Sequence, residues 1–208
     1  MTLRIAAALS LVLGVAALLA YLHLLGKGPF ADPAARHMRA MKDRITAPAS
    51  CETITFAGME HLPRGRPVAE YAAVERRGAV LEAYVQHVLH APDGDFHLSL
   101  APLPPHREGP YYRSAIAEIT PQWHRHSKTW RYERLTELFR PAFGDVTPWE
   151  GGARRVRLSG WLMYDYPHEG FVPKDPHLLP AVSAWEIHPV TRIEFWDDSL
   201  GAFVEYPR

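Results

Sequence analysis

Apolar and polar positions alternate along residues 78–90. Leu81, Ala83, Val85 and Leu89 share one face of an extended chain, and Glu82, Gln86 and His90 share the other, the two-residue period of a strand with one buried side. Asp93-Gly94 interrupts the pattern. Glycine accepts positive φ without steric penalty and aspartate bonds its own backbone, so this pair predicts a tight connection. A second arm follows, with Phe96, Leu98 and Leu100 on one side and Asp95, His97 and Ser99 on the other. The first arm is longer than a flat sandwich needs and predicts a strand that curls and pairs with two neighbours.

The same reading continues downstream. Ala101–Tyr112 is proline-rich and predicts a loop, because proline cannot donate to a ladder. Ser114–Thr120 predicts a third strand, followed by a polar connection, QWHRHSK. The spacing of Leu135, Leu138, Phe139, Ala142 and Phe143 predicts a helix over Thr129–Arg140, ended or bent by Pro141. Arg154–Tyr164 alternates Val156, Leu158, Leu162 and Tyr164 with Arg155, Arg157, Ser159 and Trp161, a fourth strand; Met163 is assigned to its outward face. Ala184–Trp196 is the fifth, with Pro189 tolerated at a bulge or edge. Three strands, a helix and two strands predict a mainly β fold, a five-stranded Greek-key barrel of the oligonucleotide/oligosaccharide-binding (OB) kind with the helix between strands three and four.

The N-terminal stretch departs from both periods. Ile5–Leu25 is an apolar run of about the 20 residues that cross a bilayer as a helix. It lacks a small-x-small cleavage site, so it predicts a single-pass signal-anchor, with the membrane as partner through residues 5–25. Arg4 precedes the run, whereas Lys27, Arg36, Arg39, Lys42 and Arg44 follow it. The positive-inside bias would keep the following side in the cytoplasm. The very short leading tail favours export, and an extracytoplasmic location of the soluble domain is the expectation. Residues 32–45 predict a short polar helix capped by Asp32 with Pro33 at its first position. The expected organisation is an anchor at 1–27, a stalk and connecting segment at 28–77, and a barrel at 78–208.

Composition narrows the partners. The 208 residues carry 23 basic and 23 acidic side chains, a formal net charge of zero. This argues against a generic polyanion binder, whose affinity comes from counterions displaced by clustered Lys and Arg, but not against a local basic patch. The single cysteine, Cys51, excludes an intramolecular disulfide. The chain has no Walker loop, dinucleotide fingerprint or nucleophile elbow.

DGDFHLSLAP, AIAEITP, VRLSGWLMYDYPHEG and AWEIHPVTRIEFW together resemble an uncharacterised bacterial family of predicted OB-fold-like domains with DGDxHLxL, IAE and ExHPV motifs. The resemblance covers residues 78–197; it implies the fold and brings no activity. A second, shorter resemblance is to the staphylococcal-nuclease branch of OB folds. Asp93-Gly94-Asp95 is similar to that branch's hairpin turn, and Arg113 and Glu118 have its Arg-to-acid spacing. It implies a divalent ion on Asp93, Asp95 and Glu118, with Arg113 and Glu118 catalytic in a metal-dependent phosphodiesterase. The chain departs from that pattern at Gln122, which cannot accept a proton where a glutamate base is needed.

Read from the strands alone, Asp93, Asp95, His97, Glu118, Asp165, His168, Glu186 and His188 fall on one sheet or its rim, a donor mix suited to a hard or borderline divalent ion. The plainer alternative is turn residues and carboxylate–imidazole pairs that satisfy each other. Arg155, Arg157, Trp161 and Met163, with Trp185, Trp196, Tyr111 and Tyr112 as neighbours, form a stacking surface for bases or sugars; the alternative is that these rings cover the barrel or stalk. His124 and His126 alone are a weak metal signal. The expected function is a membrane-anchored binding module for a glycan, a protein or single-stranded nucleic acid, contacted by Arg155, Arg157, Trp161, His97, Glu186 and His188. The alternative is the phosphodiesterase.

Overall fold

The computed structural model describes residues 2–24, 27–28, 31–91, 93–104, 112–127, 130, 147–148, 154–170 and 180–206. The chain divides into two units, Met1–Met41 and Lys42–Arg208. The first contains helix α1 (Thr2–Leu24) and all but the last residue of helix α2 (Pro33–Lys42), which begins where expected: the Asp32 carboxylate accepts the Ala35 N–H at 2.8 Å. Among the described residues no helix is long and apolar enough to cross a membrane; the side chains of α1 are described from residue 9 onward.

The second unit is mainly β. Its elements are β1 (Cys51–Thr53), α3 (Phe56–Glu60), α4 (Ala72–Glu75), β2 (Gly78–His90), β3 (Phe96–Ala101), β4 (Ala115–Ile119), α5 (Pro121–His126), β5 (Thr147–Pro148), β6 (Arg154–Tyr164), β7 (Trp185–Asp197) and β8 (Ala202–Tyr206). Strand β2 pairs with β3 over its second half and with β6 over its first, so the circuit β2-β3-β4-β7-β6 returns to β2 and closes a five-stranded barrel. Within this circuit all neighbours are antiparallel except β4 and β7, and β1 adds to β2 in parallel outside it. The barrel core is built by alternate residues of each strand, among them Leu81, Val85, Leu98, Ala117, Leu158, Ile187 and Ile193.

Register shifts in two of the strand pairs reset this alternation. The β2–β3 register shifts between Val85 and His87, so Val88 is buried and Leu89, expected inside, is only partly so. The β6–β7 register shifts twice around Gly160, with the extra residues on β7 between Ile187 and Arg192, so Pro189 sits at an irregularity of the kind expected for it, a bulge or an edge. A Cβ at Gly160 would collide with the Pro189 carbonyl oxygen and lie 2.7 Å from Ile187 Cγ2. On β6 itself the alternation is unbroken, with Val156, Leu158, Leu162 and Tyr164 in the core; Met163 lies on the outward face as assigned and is nonetheless fully buried.

Among the described residues one helix, α5, lies among the barrel strands, between β4 and β6. Helix α5 occupies the stretch assigned to a polar connection, because Thr120 accepts the Trp123 N–H at 3.2 Å and Pro121 opens the first turn. The helix expected over Thr129–Arg140 lies outside the described residues. The segment before β2 contributes directly to the core: Met59 and Tyr71 are fully buried. Tyr71 packs on Tyr164 and Trp185, with ring centroids 4.1 and 5.4 Å away.

Candidate functional site

Two polar surfaces lie on the outer face of the barrel strands, where each strand's period turns its non-core side chains. The first spans β3, β4 and β7. His97 and Glu118 are register partners across β3 and β4, and β7 runs parallel beside β4 with Ala117 opposite Ile187, which brings Glu186 and His188 alongside Glu118. His97 Nδ1 is 2.9 Å from Glu118 Oε1, and His188 Nδ1 is 2.7 Å from Glu118 Oε2 and 3.7 Å from Glu186 Oε2. Asp95 completes the group: its carboxylate, that of Glu118 and the His188 ring offer donor atoms within 4.8 Å of one another. Asp165, His168 and Glu186 form a second such set, with His168 Nδ1 2.5 Å from Asp165 Oδ2.

These groups are out of water, His188 at 0% exposure and Glu118 at 1%, so their charges are set by one another. Burial alone would protonate Glu118, but His188 and then His97 hold its carboxyl well below the usual range. Burial also opposes charge on His188, which Glu118 and then Glu186 overcome, raising it to about 10. Glu186 is pushed up to about 7 by burial and by the Glu118 charge, and Asp95 to about 6, mainly by burial. Burial lowers the Lys42 ammonium, and the carboxylates of Glu118, Asp165, Glu186 and Asp95 more than offset that. The result is a nearly dry network in which carboxylates and cations define each other's protonation.

Asp93 stands at the turn, exposed, with its Oδ1 accepting the Asp95 N–H at 3.3 Å; Gly94 has φ +92°. Arg113 is not drawn to this cluster. Its guanidinium meets Glu60 Oε1 at 2.7 Å and the Ala181 and Val182 carbonyls at 3.1 Å. Arg113 precedes β4, whose ladder begins at Ala115, and is held by these partners, whereas Glu118 pairs with His97 across β3. The Arg–acid pair that the nuclease resemblance implies therefore does not assemble here.

The second surface spans β2, β6, β7 and β8. Arg155 is bonded to Glu82, with its Nε 2.8 Å from Oε1. Arg157 grips Glu194 through two bonds of 2.8 and 2.6 Å, and Arg192 reaches Glu194 and Glu205 at 3.2 and 3.1 Å. Arg155 lies over the Trp196 ring, 4.4 Å from its centroid, and Arg157 over Phe203 at 4.6 Å. Trp196 meets Phe203 edge-on at 5.2 Å, and its indole N–H donates to Asp198 at 3.0 Å. Tyr84, Arg154, Arg155, Phe195, Trp196 and Asp198 line a groove of about 510 Å3.

Trp161 is not part of that groove. Its N–H donates to the Thr46 carbonyl at 2.6 Å and the Arg44 guanidinium lies 4.9 Å from the ring centroid, so it seals residues 44–46 against β6. Trp185 is fully buried. Tyr84, Phe195, Phe203 and Lys42 were missed by sequence reasoning. Phe203 had a signal: Asp197-Asp198-Ser199-Leu200-Gly201 is a turn sequence, Asp197 Oδ1 accepts the Ser199 and Leu200 N–H groups at 2.9 and 3.1 Å, and β8 follows directly. No protein-family model, curated protein or solved structure matches this chain.

Proposed function

We propose that this chain is a membrane-anchored, OB-like binding module whose ligand is a neutral saccharide held in the groove between Tyr84 and Trp196. The strand circuit, with its single parallel pair and a helix between the third and fourth barrel strands, supports the OB reading. The apolar run at 5–25 supports the anchor, and an exported barrel would meet glycans before nucleic acid.

The observation that carries the ligand class is the guanidinium–indole stack of Arg155 on Trp196 at 4.4 Å inside an aromatic groove. Aromatic faces take the C–H surfaces of sugar rings, while Asp and Arg at the rim take hydroxyls. A polyanion is disfavoured because Arg155, Arg157 and Arg192 are already paired with Glu82, Glu194 and Glu205, leaving little counterion release to gain.

The test is a titration of the full chain in detergent with a panel of neutral oligosaccharides, followed by tryptophan fluorescence. Trp196→Ala abolishes the response while the urea midpoint stays close to the native value. Trp161→Ala does the reverse: binding is retained and stability falls by about 1–3 kcal/mol, the loss of one partly buried aromatic contact. Saccharide binding that survives Trp196→Ala overturns the assignment.

A further inference from the structure

We propose that Asp95, Glu118, Glu186 and His188 form a binding site for a single borderline divalent cation of the Zn2+ or Mn2+ kind, buried against the outer face of β3, β4 and β7 and separate from the groove. Several buried polar atoms in this cluster stand without an aligned hydrogen bond. Buried polar atoms are normally hydrogen-bonded, yet among the described residues no hydrogen bond reaches His188 Nδ1 or Nε2, Glu118 Oε2 or Glu186 Oε2. His188 Nδ1 and Glu118 Oε2 are 2.7 Å apart without donor–acceptor alignment, and Glu186 Oε2 stands 3.7 Å from the same nitrogen, beyond hydrogen-bond reach. Close, convergent and misaligned contacts are what ligands of a common ion show.

Distances and donor types select the ion. The Asp95, Glu118 and His188 donor atoms already lie within 4.8 Å of one another. Donors bound to one divalent ion at about 2.0–2.2 Å stand about 3 to 4.4 Å apart, so the set needs only small movements, with His188 and Glu118 opening from 2.7 Å as the ion enters between them. Three carboxylates with one imidazole suit a borderline ion better than Ca2+, which prefers all-oxygen shells of six to eight ligands. His97, 2.9 Å from the other Glu118 oxygen, is placed to orient that carboxylate in the way outer-shell partners do. Lys42 is the competing cation, since its ammonium faces Glu118, Asp165, Glu186 and Asp95.

The experiment strips the full chain in detergent with a chelator and titrates it separately with Zn2+, Mn2+ and Ca2+. The expected result is one tight equivalent of Zn2+ or Mn2+ that raises Tm and is not displaced by equimolar Ca2+. Glu186→Gln, which keeps the shape and removes the charge, loses this equivalent; His97→Gln weakens it roughly 10–100-fold; and the exposed His126→Ala leaves it intact. Lys42→Met tightens it. Since Glu118→Gln or a His188 variant could fail to fold, the decisive second measurement is pulsed EPR on the native chain with bound Mn2+, which must show coupling to an imidazole nitrogen. Absence of a tight equivalent, its persistence in Glu186→Gln, or absence of nitrogen coupling overturns the site.

Discussion

Gly160 shows how one residue holds two strands in register. Its missing Cβ lets the Pro189 carbonyl approach β6 at the bulge, with Ile187 Cγ2 against the same spot. Gly160→Ala therefore forces backbone apart rather than a flexible side chain, and costs on the order of 1–3 kcal/mol, read as a lower urea midpoint with an unchanged m-value. The buried network makes a prediction in pH. Asp95 and Glu186 have folded values raised to about 6 and about 7, so the folded state holds protons that the unfolded chain has released, and stability falls as pH rises through about 4 to 7. His188 is raised to about 10, so its contribution is full below about pH 6.5 and lost as pH rises through about 10. Glu118 acts oppositely: its depressed value contributes above the ordinary carboxylate range and is lost in acid. In chelator, the urea midpoint is thus highest in mildly acidic solution and declines toward pH 9, and Glu186→Gln flattens the decline between about pH 5 and 7. A midpoint that rises over this interval in the native protein contradicts these assignments.

The strands of the barrel were legible because period-two alternation survives wherever one face is buried and the other is not. The limits of β6 and the Asp93-Gly94 turn follow from that pattern directly. Alternation failed at the β2 bulge, where an extra residue exchanges faces and sends Val88 inward; Met163 keeps the outward face of β6, between the core residues Leu162 and Tyr164, and is buried there all the same. Helix α5 was missed because six residues offer only Trp123 as an apolar anchor, and its signal lay in the Thr120-Pro121 cap. The site divided the same way. His97, Glu118, Glu186 and His188 were found together because cross-strand neighbours follow from alternation. Arg113 and Trp161 were misplaced because their partners, Glu60 and residues 44–46, come from segments with no period. The hairpin of β7 and β8 carries a test at this scale: Phe203 braces Trp196, Arg155 and Arg157 from β8. Phe203→Ala lowers saccharide affinity about tenfold, the size of one aromatic contact, with little change in the unfolding transition.

For the whole molecule the governing fact is balance, 23 basic side chains against 23 acidic ones, repeated locally where three arginines of the groove surface meet Glu82, Glu194 and Glu205. Such a surface has little net field to steer a charged polymer and relies on ring stacking and directed hydrogen bonds. Salt is the variable that separates the two kinds of binding. The most direct measurement is the affinity of the full chain for a neutral oligosaccharide and for single-stranded DNA, each at about 50 and 200 mM salt. Saccharide binding is expected to be nearly the same at both concentrations and stronger than DNA binding. Tighter binding of DNA, weakening steeply as salt rises, would contradict it.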